Sequence, residues 1–231
     1  MNNYMKFEIT LIMRSKRLKQ LLIFAVYWII FTYFMITGKG FPSEYSTFKI
    51  IYFPMLIALP GACYAQYFSS IEANYAYKLF TIPLNIKTIL YQKYYLYCLM
   101  SLIITLLLLP TLTKGITTIE LFTYFIISIG PIFFIVFQSS RWNTKKLDLN
   151  MSTFMNWQGN NMWQYLLGIL LLIIFLSTVV GIAFLLPPPK LYIYMFISSA
   201  LFVATHRIWL SKLAQYYIKN KYKNIRISDE N

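Results

Sequence analysis

Six long runs without a charged side chain limit this chain's folding options more than any other feature: residues 21–37, 50–68, 94–113, 121–138, 165–186 and 191–205. Each approaches the ~20 residues that a helix needs to cross ~30 Å of hydrocarbon, where every backbone N–H and C=O must be satisfied within the segment. The last run has only 15 residues before His206 and Arg207. It spans only if its helix begins in the Pro187-Pro188-Pro189 turn and Arg207 snorkels to the interface. Charge density agrees, since 12% charged residues are too few to cover a soluble globule, which usually carries about 25%. The expectation is an all-α membrane protein with six transmembrane helices.

Lys and Arg divide unevenly across those runs. Seventeen of the 21 fall in residues 1–20, 69–93, 139–164 and 206–231, and the other side holds Lys39, Lys49, Lys114 and Lys190. The positive-inside rule then puts both termini in the cytoplasm. The net charge of +14 follows from that topology and from attraction to anionic lipid, at about 1 kcal/mol per basic residue near the surface, so nucleic acid is not an expected partner. The chain reads as one membrane domain. An interfacial helix covers residues 1–20, a six-helix bundle with cytoplasmic loops 69–93 and 139–164 covers 21–205, and a basic tail covers 206–231. The first run has a basic start but no small-residue cleavage site after it, so it reads as a retained helix. Tyr4, Phe7, Leu11 and Leu18 form one helical stripe, and Trp209, Leu213, Tyr216 and Tyr217 another. Both read as membrane anchors.

The outer loops are short, whereas the two cytoplasmic loops are long and patterned, which points the functional surface inward. In the first loop, residues 71–80 can form a short helix, Pro83 interrupts it, and residues 84–93 can form a second helix leading into the third span. Ile86, Ile89 and Leu90 share a face there, while Asn85, Thr88 and Gln92 point elsewhere. Tyr75, Tyr77, Tyr91, Tyr94 and Tyr95 suit an elbow lying at the interface. In the second loop, Asp148 or Asn150 can cap a helix, Phe154 and Trp157 supply an apolar edge, and Gly159 permits the turn into the fifth span.

Catalysis finds little footing. The chain has one histidine, His206, and lacks a His-Glu-x-x-His or Cys-x-x-Cys pattern, so no metal site is expected. It also lacks the Gly-x-x-x-x-Gly-Lys-Ser/Thr phosphate loop, so it is not expected to be an enzyme or to hydrolyse ATP itself. Cys63 and Cys98 stand alone in apolar segments and read as packed thiols. The spans contain no buried charge of the kind that marks an ion pathway. Pro54, Pro60 and Gly61, Pro110 and Pro131 are candidate kinks whose freed carbonyls need partners within the bundle.

The order Glu72, Leu79, Pro83, Tyr91 and Lys93 between the second and third spans resembles the cytoplasmic loop of permeases of the type-2 ATP-binding-cassette exporter superfamily. A second stretch, Lys146, Leu147, Asp148, Leu149, Asn150, Ser152, Phe154, Asn156, Trp157, Gln158 and Gly159, is similar to a segment of an uncharacterised bacterial membrane-protein family within that superfamily. The chain resembles the later part of that family's longer members.

The resemblance implies a permease subunit in a bacterial plasma membrane, coupling a separate cytoplasmic ATPase to movement of an amphipathic or lipid-like cargo. It implies that Glu72, Lys78, Leu79, Phe80, Pro83, Lys87 and Lys93 dock on that ATPase, with Lys146, Asp148, Asn150, Phe154, Asn156, Trp157, Gln158 and Gly159 forming a second cytoplasmic element. ATP and Mg would be bound by the partner ATPase, with no cofactor on this chain. Six spans make half of such a machine, so a second copy or a partner permease is implied, in contact with membrane lipids. The alternative is a non-transporting immunity or scaffold protein that binds partners through the same loops.

Overall fold

A serine opens the fold. Ser15 ends the first helix with its N–H on the Leu11 carbonyl, while its Oγ accepts from the Leu18 N–H and caps the next helix. The computed structural model describes residues 3–39, 46–66, 85–114, 116–142 and 162–220, and the regular structure among these residues is all helical. The helices are α1 (Asn3–Arg14), α2 (Lys16–Lys39), α3 (Ser46–Gln66), α4 (Ile86–Leu107), α5 (Thr118–Ile127), α6 (Phe133–Ser139), α7 (Met162–Leu185), α8 (Pro188–Ala204) and α9 (His206–Lys219).

Over the described residues, all six apolar runs fall largely on helices. Among the described residues, three helices are long and apolar enough to cross a membrane: Ile86–Leu107, Thr118–Ser139 and Leu166–Leu185. A fourth span arises if α8 and α9, bent by 48° at Thr205, count as one broken span. The triple proline acts as its position suggests. Pro187 is extended, the following prolines occupy the first helical positions, and the Leu191 N–H reaches the Pro187 carbonyl.

The core centres on α3, which packs against α2, α4, α5 and α6. Phe53 and Ile57 are fully buried, and the Phe53 ring stacks on Tyr124 at 5.4 Å. α2 is pinned to α3 at both ends, by Thr32 Oγ1 and Tyr52 OH 2.6 Å apart and by Tyr64 OH donating to the Leu18 carbonyl at 2.7 Å. Gly61 lets three helices meet, because a Cβ there would stand 2.6 Å from Phe133 Cζ and 2.9 Å from Tyr97 Cβ.

The candidate kinks have different outcomes. α3 continues through Pro54 and Pro60. Pro110 falls in the 3-10 turn Leu109–Lys114 that ends α4. Pro131 lies in one π-helical turn, Ser128–Ile132, between α5 and α6, a wider turn that accommodates a residue without an N–H. Gly130 in that turn lets α8 approach, since a Cβ there would meet the Ser199 carbonyl oxygen at 2.8 Å. Ser128 Oγ lies 2.7 Å from both the Pro54 and Tyr124 carbonyls, tying the turn to α3.

The two expected stripes also meet the rest of the bundle. α1 packs on α2 and α4 and buries Glu8 and Ile12, and Leu18 of the expected stripe is buried at the start of α2. α9 likewise turns Trp209, Leu213 and Tyr217 inward against α4 and α6, with Lys212 and Lys219 exposed. Amphipathicity shows which face is covered, and tertiary packing decides what covers it.

Candidate functional site

α3 ends and α4 begins at one pole of the bundle, where α6 also ends and α7 starts. Residues 67–84 and 143–161 leave from this pole. Of the expected docking residues, Glu72, Lys78, Leu79, Phe80 and Pro83 lie outside the described residues, as do Tyr75 and Tyr77. So do Lys146, Asp148, Asn150, Phe154, Asn156, Trp157, Gln158 and Gly159. Lys87 and Lys93 are the two docking residues the structure places.

They are placed in opposite environments. Asn85 caps α4 by accepting from the Lys87 N–H at 3.0 Å. The exposed Lys87 ammonium stands 5.8 Å from the Tyr91 ring centre. Lys93 is 1% exposed and its Nζ lies 2.8 Å from Glu8 Oε1, itself 6% exposed at the side chain. Its ammonium therefore belongs to the α1–α4 contact rather than to an open surface. The buried charge stands one residue before the uncharged run 94–113. The hint in the sequence was Glu8, the one acidic residue in the basic stretch 1–20, at helical spacing with Ile12 and Ser15.

The expected elbow at Pro83 lies outside the described residues, and the second helix leads into the third span as expected. α4 runs unbroken from Ile86 to Leu107, about 33 Å at 1.5 Å per residue, because no Gly or Pro separates the two parts and both bury one continuous face. Ile86, Ile89 and Leu90 share that buried face as expected, with Asn85 and Thr88 exposed.

Tyrosines on the first turns of α4 lace it to its neighbours. Tyr91 OH donates to the Arg207 carbonyl at 3.0 Å, and Tyr94 OH donates to the Ile129 carbonyl in the π turn at 3.0 Å. His206 stacks on Tyr94 with ring centres 5.2 Å apart, and its Nε2 lies 3.1 Å from Tyr95 OH. His206 Nδ1 lies 2.7 Å from the Val203 carbonyl, which requires Nδ1 to carry the hydrogen. Trp209 closes the cluster edge-on to Tyr94 and donates from Nε1 to the Phe202 carbonyl. These groups hold the bend between α8 and α9 rather than presenting reactive atoms.

Among the described residues no group of three or more His, Cys, Asp or Glu could hold a metal ion. Cys63 and Cys98 are both free thiols. Through Tyr91, Lys93, Tyr94 and Tyr95, α4 is joined to three other parts of the bundle.

Residues 1–227 match a family described as a family of unknown function (DUF5687). The chain belongs to that family. No curated protein and no solved structure matches it. For this DUF5687 chain the functional reading therefore rests on its own residues and geometry.

Proposed function

We propose that this DUF5687 chain is the membrane-spanning subunit of an ATP-binding-cassette exporter, with six spans and both termini in the cytoplasm. A separate ATPase would grip residues 69–93 and touch the second segment, and a second permease copy or partner would complete the pathway. The observation that carries the reading is the lacing of α4. Its first turns follow the loop segment directly and are joined to α1 by Glu8–Lys93, to the π turn by Tyr94, and to the α8–α9 bend by Tyr91 and Tyr95. A force on the loop would enter a rigid helix and reach the outer elements without slack. Such coupling shifts the bundle only if the nucleotide-bound ATPase prefers one arrangement of it. The cargo suited to spans free of unpaired charge is amphipathic or lipid-like.

Affinity purification of the full chain from its native membrane in mild detergent tests this. Recovery of a soluble ATPase whose hydrolysis falls when Glu72, Pro83 and Lys87 are replaced by Ala would support the permease reading. Recovery without any nucleotide-dependent partner would favour the immunity or scaffold alternative.

A further inference from the structure

One flank of the bundle carries an elongated apolar groove of about 280 Å3 between α3, the α5–α6 rod and α7. Along α3 it runs from Met55 to Gln66, about 16 Å at 1.5 Å per residue. Along the rod it runs from Ile132 to Ser139, and α7 walls its outer end with Gly168 and Leu172.

Three properties of the groove point to one occupant. Its length is close to half of the ~30 Å hydrocarbon thickness, the depth of a single leaflet. Two of its three walls, the 118–139 rod and α7, are long and apolar enough to span, and the groove runs along the rod towards the pole where residues 67–84 and 143–161 leave. Its lining is graded: hydrocarbon near Met55 and Ile132, with Cys63, Gln66 and Ser139 towards the pole. Room for a chain comes from the small side chains of Ala58 and Ala62 and from Gly168, whose added Cβ would meet only the Ser139 side chain, at 3.6 Å. α7 is otherwise lightly held, with 6% of its span buried against 50% and 61% for the other two spanning rods. Among the described residues, nothing closes the groove laterally beyond the contact of α7 beside Ser139.

We propose that this groove holds one acyl chain of a phospholipid from the leaflet bordering that pole, with the headgroup at the level of Gln66 and Ser139. The chain fills the apolar length while the polar end of the lipid meets the polar end of the groove. The inference rests on the membrane setting of these helices and is independent of transport.

The test uses the full chain in phosphatidylcholine–phosphatidylglycerol vesicles containing a trace of phospholipid with a mid-chain diazirine. After irradiation, the modified residues are mapped by mass spectrometry. Adducts at Ala62, Ile135 and Leu172 should exceed those on the outer face of α7 at Leu170 and Ile174 several-fold. Ala62→Phe, which fills the groove, should remove the excess and leave the outer-face labelling unchanged. Should Ala62→Phe fail to fold, Ile169→Trp at the mouth, where the native side chain is 53% exposed, provides the same test. Equal labelling of groove and outer face, or groove labelling indifferent to filling, would overturn the assignment and leave only the ordinary lipid shell.

Discussion

At the scale of single residues, the Glu8–Lys93 pair matters most, because it sits where desolvation is costly and pairing is required. Each charge is tolerated only beside the other, so removing one strands its partner. Lys93→Met should cost about 3–5 kcal/mol and Glu8→Leu a similar amount, whereas the double variant should recover much of the loss. Equilibrium unfolding of the four proteins in mixed micelles reads this directly, and additive losses in the double variant would argue that the pair is incidental. Gly130 makes a second residue-scale prediction. The Ser199 carbonyl that its missing Cβ accommodates is backbone, which gives way less readily than a side chain. Gly130→Ala should cost about 1–3 kcal/mol by overpacking, and an unchanged unfolding midpoint would contradict the close approach of the π turn to α8.

Among the elements, α4 and α9 depend on each other. α4 presents Tyr91, Tyr94 and Tyr95, and α9 covers them with His206 and Trp209. Trp209 also contacts Phe134 and Phe137 edge-on or tilted, at 5.6 and 6.0 Å, so truncating it opens a cavity where α4, α6 and α9 converge. Trp209→Ala should destabilise the protein by about 3–5 kcal/mol and expose α9 to proteolysis. If α9 were a detachable membrane anchor, the same change would alter membrane association and leave the unfolding of the bundle untouched. Tyr94→Phe is a milder probe. It keeps the ring packing and removes the bond to the Ile129 carbonyl, with an expected loss of about 0.5–1.5 kcal/mol.

For the whole molecule, the distribution of basic residues makes the strongest prediction. In a chain with Cys63 and Cys98 replaced by Ala, the exposed positions Lys87→Cys and Lys190→Cys should react with an impermeant maleimide from opposite sides of the membrane, Lys87→Cys from the cytoplasm. Labelling of both from one side would sink the six-span topology. The sequence by itself determined that the protein is helical and suited to a bilayer, because long uncharged runs leave the backbone few other ways to satisfy its polar groups. It also located the apolar face of the first turns of α4 and the helical start in the proline run, since both depend on local spacing and backbone restriction. Only the tertiary structure decided that α1 and α9 cover α4 and that Lys93 is buried on Glu8. Those outcomes join residues 85 positions or more apart, as in Glu8–Lys93 and Tyr91–Arg207, and helical periodicity specifies which face of a segment is hidden without specifying which distant segment will hide it.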